Sequence, residues 1–212
     1  MLNGKKIALG VTGGIAVYKA VDLVSRLRKQ GAEVRVIMTE HAQQFVTPLT
    51  FKEISGNKVA VSMWDSNQEF NVEHIALANW ADAFVVAPAT ANILAKMANG
   101  IADDLLSTTL LAAQAPIIVC PAMNTGMYQN SITQENIEKL QKHGVTVMPP
   151  AVGYLACGVT GPGRLPEPQQ IVEFIDAFFA KKDGDMVGLK VLVTAAGTRE
   201  PIDPVRFVGN RS

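Results

Sequence analysis

The sequence predicts an α/β fold built on a doubly wound parallel sheet with helices on both faces. Three observations carry that expectation. Short apolar runs of strand length recur along the chain, stretches with apolar residues at helical spacing alternate with them, and the first run ends in a glycine-containing turn that opens into a helix. Such sheets are covered on both sides, so their strands read as continuous apolar runs rather than as an alternation.

The elements follow in order. "KKIALGV" is the first strand, and "GGIAVYKAVDLVSRLRKQG" after it places Val17, Val21, Val24 and Leu27 at helical spacing, with Gly31 as the stop. "AEVRVIMT" reads as the second strand, "ADAFVVAPA" as the third, "APIIVCPA" as the fourth and "GVTVMPP" as the fifth. Helices are expected at "TANILAKMANG", "DDLLSTTLLAAQ" and "TQENIEKLQKHG", and "EPQQIVEFIDAFFAKK" is the closing one. The polar, glycine-containing "DGDMVG" then ends the first domain, giving a domain over 1–183, a linker over 184–188, and in 189–212 the strand and loop that begin a second domain.

The chain has 212 residues, 48% of them hydrophobic and 18% charged, which is enough to bury the core of one substantial domain. Nineteen basic and nineteen acidic residues cancel, so no global field draws the protein to nucleic acid or an anionic membrane, and neither is expected as a partner. No apolar run near the N-terminus is long enough for a signal peptide or a spanning helix, which leads to the expectation of a cytoplasmic protein. Cys120 and Cys157 are too few for a disulfide framework, and no pair of CxxC motifs points to zinc. Cys120, inside an apolar run, reads as a small buried hydrophobe.

Chemistry is expected at the carboxyl ends of the strands. In "GVTGGIA", glycines at a strand-to-helix junction let backbone N–H groups approach an anion where the helix dipole favours one, so a phosphate fits; a tight turn without a ligand is the alternative. The turn lacks the full G-x-G-x-x-G spacing and the GK[ST] ending of a P-loop. In "MTEHAQQF", Glu40 suits a ribose hydroxyl, while Thr39 and His41 equally suit a phosphate or a ribityl chain. In "APATANILAKMANGIADD", Thr90 and Asn92 stand at a helix start, fit for capping or for ligand binding, and Ala89 and Ala91 leave room for a flat ring. In "CPAMNTGMY", the amide of Asn124 can donate to a carboxylate or a ring carbonyl, or serve as a turn residue. His74 lies off the sheet in the long segment "NQEFNVEHIALANWAD", as a base or an exposed residue, and His143 sits at a helix end facing the dipole. Cys157 stands in "GYLACGVTGPGR", a glycine-rich stretch that reads as a flexible flap.

"GVTGGIAVYK", "ATANILAKMANGIADDLLSTTLLA", "PAMNTGMY" and "LACGVTGPGRLPEP", in this order, resemble the flavin-dependent cysteine decarboxylases. Over essentially its whole length the chain is similar to the N-terminal half of the bacterial bifunctional phosphopantothenoylcysteine decarboxylase/phosphopantothenate–cysteine ligases, and "TAAGTREPIDPVRFVGNRS" resembles the opening of their ligase half. The resemblance implies a Rossmann-like, flavodoxin-like three-layer fold. It also implies FMN-dependent decarboxylation of 4′-phosphopantothenoylcysteine to 4′-phosphopantetheine in coenzyme A biosynthesis, with no ligase activity expected from these residues.

It further implies that the FMN phosphate rests on the amides of Gly13, Gly14 and Ile15. Thr39, Glu40 and His41, together with Thr90, Ala91, Asn92 and Ile93, would hold the phosphate and ribityl regions, and Ala122 would approach the ring. Asn124 matches the residue that binds the substrate carboxylate, His74 the active-site histidine and Cys157 the proton donor, and no metal is implied. In that family the thiol-bearing carbon is first oxidised to a thioaldehyde, loss of CO2 leaves an ene-thiolate, and a thiol of ordinary pKa about 8.5 can protonate it near neutral pH. The family assembles as trimers stacked into dodecamers, which implies a homo-oligomer with His74 acting across an interface. Two departures stand out: many relatives carry Ser where Thr12 stands and Asn-Thr where Asn92-Ile93 stand. A peptidyl-cysteine decarboxylase and an inactive flavin-binding regulatory subunit are the alternatives within the same resemblance.

Overall fold

Each of the five apolar runs forms a strand: β1 (Lys6–Val11), β2 (Glu33–Met38), β3 (Ala83–Ala89), β4 (Ile117–Pro121) and β5 (Thr146–Val147). The structure is a computed structural model that describes residues 2–64, 73–156, 158–182, 190, 199–203 and 205–209. All pairings in this sheet are parallel and the order is β2-β1-β3-β4-β5, the flavodoxin-like arrangement. The order reverses between β1 and β3, and a crevice opens there at the carboxyl ends of the strands.

Alternate residues of each strand feed two separate cores. Ile7, Leu9 and Val11 of β1, with Val34, Val36, Met38, Val85 and Ile118, pack against α1 (Val17–Lys29), α2 (Pro48–Ser55) and α8 (Pro168–Lys182). Ala8, Ile37, Phe84, Val86 and Val119 face the other way, toward α3 (Glu73–Trp80), α4 (Ala91–Asn99), α5 (Leu105–Ala112) and α7 (Ser131–Lys142). Two apolar layers on one sheet make the three-layer architecture, and every residue of β3 is buried. Gly10 admits the second layer closely, since a Cβ there would come 2.6 Å from Leu106 Cδ1.

The four predicted helices are present as α1, α4, α5 and α7, and α8 forms over the segment expected to be the closing helix of the first domain. The sequence reading missed a 3-10 helix over Glu40–Gln44, helix α2 and the short α6 (Thr125–Gln129), each too brief to show a period. The segment holding His74 is not simply a polar excursion: 67–72 lie outside the described residues, but Glu73–Trp80 is helical and buries Leu77 and Ala78.

The flap is the main correction. Its flanks are an antiparallel hairpin, β6 (Ala151–Tyr154) and β7 (Thr160–Arg164), paired Tyr154 to Thr160 and Gly153 to Gly161. The chain divides into a first unit, Met1–Ala180, and a second, Lys181–Ser212. In the second unit β8 (Arg199–Pro201) pairs antiparallel with β9 (Phe207–Gly209), while the strand expected at "LKVLV" lies outside the described residues.

Candidate functional site

The loops after β1, β2, β3 and β4 converge on one cleft of about 920 Å³, closed on a further side by the hairpin. Gly13, Gly14, Ile15, Thr39, Glu40, His41, Thr90, Ala91, Asn92, Ile93, Ala122 and Asn124 all line it. Sequence reasoning assigned these residues to one site, and the fold brings them together.

The first wall follows from the glycines. Helix α1 begins after Ala16 with no side-chain cap, and among the described residues the amides of Gly13, Gly14 and Ile15 donate to no acceptor. A helix N-terminus with uncapped N–H groups on a wide cleft suits a phosphate. Gly13 is also needed for packing, because an added Cβ would collide with the Cβ of His41 and come 2.8 Å from its carbonyl carbon.

The second and third walls are locked to the first. Thr39 donates its N–H to Val11 O (3.1 Å) and accepts with Oγ1 from Ala42 N–H (3.3 Å), so it starts the 3-10 helix. Thr12, only 2% exposed, donates Oγ1–H to Pro88 O (2.7 Å) and accepts from Thr90 N–H (3.1 Å). Thr90 in turn caps α4 by accepting from Ile93 N–H at 3.4 Å. The cap uses the Thr90 oxygen, and its methyl faces Gly14, 3.8 Å from where a Cβ there would stand.

The fourth wall carries Asn124. Ala122 N–H donates to Ala89 O at 2.9 Å, which sets the loop on β3. Asn124 caps α6, its Oδ1 accepting from Gly126 N–H at 2.8 Å, and this bond fixes which end of the amide is the acceptor. The hairpin packs directly on this loop. Met123 N–H donates to Gly163 O at 2.9 Å, a Cβ on Gly163 would sit on the Met123 carbonyl oxygen, and one on Gly161 would come 2.6 Å from Thr125 Oγ1. The glycines of "TGPGR" thus serve close approach, where the sequence alone suggested flexibility.

Several lining residues escaped the sequence reading: Tyr18, Lys19, Lys96, Asp103, Asp104, Tyr154 and Arg164. Lys96 Nζ donates to Asp103 Oδ1 (2.6 Å) and Asp104 Oδ2 (3.3 Å). The bond to Asp103 holds the Lys96 ammonium above its usual range and the Asp103 carboxyl below its own. Asp104 also caps α5 in a reciprocal box with Ser107, so the pair fixes the α4–α5 corner of the cleft.

Three predicted residues stand apart. Cys157 lies outside the described residues, between the two hairpin strands. His74 is half-buried on α3, which packs against α5, and it does not line the cleft. Cys120 is fully buried, and burial pushes its thiol up to about 12, which makes it inert as expected. Among the described residues no cluster of three or more His, Cys, Asp or Glu could hold a metal ion, and no helix is long and apolar enough to cross a membrane.

The cleft fits a flavin mononucleotide on its own terms. It lies within the range of about 300–1,000 Å³ typical of cofactor pockets. It offers uncapped amides for a phosphate at one end, and exposed apolar side chains, Ile15, Tyr18, Met127 and Tyr154, for a flat ring elsewhere.

Comparison with known proteins agrees with this reading. The chain is 51% identical over 211 residues to the "Coenzyme A biosynthesis bifunctional protein CoaBC" of Haemophilus influenzae, covering 100% of this chain and 52% of that protein, so it spans about half the length of the curated relatives it matches. Among solved structures, a mutant PPC decarboxylase complexed with pantothenoylaminoethenethiol is 32% identical with a TM-score of 0.74, over 84% of this chain and 99% of that one. The FMN-dependent cysteine decarboxylase SpaF is 31% identical with a TM-score of 0.70, over 84% and 99%. The "DNA/pantothenate metabolism flavoprotein C-terminal domain" matches residues 186–212. Because the flavoprotein family matches residues 1–180, which include every wall of the cleft, the chain belongs to that family.

Proposed function

We propose that this chain is an FMN-dependent decarboxylase acting on 4′-phosphopantothenoylcysteine to give 4′-phosphopantetheine, a step of coenzyme A biosynthesis. The observation that carries the reading is the convergence of all four strand-end loops on one cleft, in a chain that covers 99% of a PPC decarboxylase. The decarboxylase domain is assigned to 1–183, joined through 184–188 to residues 189–212 as the start of a ligase domain, and the match of separate families to 1–180 and 186–212 supports this division.

Gly13, Gly14 and Ile15 would hold the FMN phosphate with their amides, aided by Thr39, Glu40 and His41. Thr90, Ala91, Asn92 and Ile93 would hold the ribityl chain, and Ala122 would lie against the ring. Bound FMN supplies a reversible two-electron acceptor for the thiol-bearing carbon of the substrate. Asn124, capping α6 at the mouth of the cleft, would bind the substrate carboxylate and orient the bond that breaks. CO2 leaves, Cys157 delivers a proton to the resulting ene-thiolate carbon, and return of the two electrons taken up before decarboxylation gives the thiol of 4′-phosphopantetheine. The hairpin walls of the cleft keep water from competing for that carbon.

His74 is assigned to the active site of a neighbouring copy in a homo-oligomer, a trimer or a dodecamer built of trimers. Its place on α3, outside the cleft of its own chain, supports this. Mixing inactive His74→Asn and Cys157→Ser proteins under exchange conditions is expected to restore activity in part, whereas a mixture as inactive as its components refutes the shared site. A cysteine content suited to a reducing compartment supports a cytoplasmic location.

The test of the function is incubation of the FMN-loaded protein with 4′-phosphopantothenoylcysteine, following CO2 and 4′-phosphopantetheine, beside a peptide ending in cysteine. Turnover of the first substrate alone is expected. Preference for the peptide would make the chain a peptidyl-cysteine decarboxylase, and flavin binding without turnover of either would make it a regulatory flavoprotein.

A further inference from the structure

A lysine in the first turn of a helix normally extends into water, yet Lys19 is only 7% exposed. A buried ammonium must be paired. Its Nζ donates to Leu165 O at 3.1 Å and to Glu167 Oε1 at 2.9 Å. The same Oε1 accepts from Arg164 Nη2 at 2.6 Å. Arg164 ends β7, and its side chain lies across β6, where a Cβ on Gly153 would come 3.2 Å from Arg164 Nη1. An unbroken polar connection therefore runs from α1 to Arg164 at the end of β7, whose side chain lies close beside Gly153 of β6.

The other end of that connection is the phosphate cradle. Lys19 is the third residue of α1 and lines the cleft together with Gly13, Gly14 and Ile15. Lys19 stands within the first turn of the helix whose N-terminus forms the cradle, and its ammonium adds positive charge to the wall on which an anion would rest. An ammonium has three donors, and two of those of Lys19 are used within the described residues.

We propose that Lys19 is a positioning residue that couples occupancy of the Gly13–Ile15 cradle by a phosphate-bearing ligand to the placement of the β6–β7 hairpin, acting through Glu167 and Arg164. The inference rests on the flavin reading above for the identity of the ligand. The anion fixes the ammonium, the fixed ammonium orders Leu165 O and Glu167, and Glu167 holds Arg164 and with it the strand that packs on the Asn124 loop. Lys19 touches no reacting atom in this scheme. Its effect reaches the chemistry through the hairpin.

Amide hydrogen exchange over residues 151–164 of the full chain, with and without FMN, tests the coupling directly. In the unsubstituted protein FMN is expected to slow hairpin exchange about fivefold or more. In Lys19→Met, FMN still binds, weaker by about the same fivefold that linkage demands, but hairpin exchange no longer responds; Lys19→Arg restores the response and Glu167→Gln reduces it. In the turnover assay Lys19→Met lowers kcat and leaves KM within about threefold.

Equal FMN-induced protection in Lys19→Met and the unsubstituted protein overturns the proposal. So does a loss of FMN affinity beyond about 50-fold, which would make Lys19 a direct ligand rather than a coupler. Should Lys19→Met fail to fold, Glu167→Gln and Arg164→Met make the same comparison from the exposed end of the chain of contacts. A protein that binds FMN and orders its hairpin but turns over neither substrate refutes the proposed reaction while the coupling stands. A protein that takes up no FMN refutes both.

Discussion

Replacing Gly163 by Ala separates backbone strain from close packing, because the molecule contains its own control. Gly163 has φ +126° and its added Cβ would collide with the Met123 carbonyl oxygen, whereas Gly144 has φ +86° and nothing within 4 Å of an added Cβ. Holding Ala in so sparsely populated a conformation costs about 1–3 kcal/mol at Gly163 and about 1–2 kcal/mol at Gly144. At Gly163 the collision also pushes apart the Met123 N–H to Gly163 O bond of 2.9 Å, whose loss adds about 0.5–1.5 kcal/mol. The expected totals are about 2–4 kcal/mol for Gly163→Ala against about 1–2 for Gly144→Ala, and a first-unit transition of this size turns the larger figure into a Tm drop of about 4–16 °C. Urea unfolding with an unchanged m-value measures both. Equal losses in the two variants would refute the view that the glycines of "TGPGR" serve packing on the Asn124 loop, and would return them to the role of flexible spacers.

The remaining predictions follow from single contacts. Thr12→Val keeps the shape but leaves Pro88 O and Thr90 N–H without their partner, so it is expected to cost about 1–3 kcal/mol by chemical denaturation, with Thr12→Ser close to neutral. Cys157→Ser is expected to release CO2 but to form 4′-phosphopantetheine at least about 100-fold more slowly, as measured by product mass, and unchanged output refutes its role as acid. A thiol reagent at neutral pH is expected to leave Cys120 unmodified in the native protein and to reach it after denaturation, as read by peptide mass, since its thiol is buried and pushed up to about 12. The Glu167 carboxyl is held below its ordinary value of 4.5, first by the hydrogen bond from Lys19. A lowered folded-state pKa contributes stability that is fully present above the unfolded value and is lost as pH falls through the folded one. Acid unfolding below that value is therefore expected to be steeper in the unsubstituted protein than in Glu167→Gln, and superimposable curves would refute it.

Much of the fold was legible because its strands are buried on both faces. Runs such as "ADAFVVAPA" admit few other readings, and helices such as α1 and α4 carry a clear period and their own stops, Gly31 and Gly100 with positive φ. The site was legible for a related reason: strand-end loops of a parallel sheet converge, so residues marked one loop at a time had to meet. What escaped was local and short. Helix α2 has only eight residues, and α3 carries no amphipathic stripe that would separate it from a polar loop. Lys96, Asp103 and Asp104 went unmarked in the sequence, because their pairing across the α4–α5 turn depends on the path of the chain and not on any fixed spacing.

Glycine and lysine show where sequence reasoning meets its limit, and why the error is informative. Glycine is required both where the chain must bend freely and where another backbone comes too near for a Cβ, and nothing in "TGPGR" distinguishes the two. Only the Met123 carbonyl and Thr125 hydroxyl, supplied by a loop some forty residues away in sequence, decide it. Lys19 presents the converse case. A lysine at the edge of the buried stripe of α1, beside Leu23, would ordinarily lay its stem along apolar surface and keep its charge in water. The partner that makes burial tolerable, Glu167, follows the hairpin and is exposed enough to be drawn away from it. A buried charge depends on its half-exposed partner, since losing that partner would leave the ammonium unpaired, and here the pair joins the helix proposed to offer the phosphate site to the hairpin strands. If cofactor and acid must act on the same substrate carbon, a link of this kind lets the chain sense the first while placing the second.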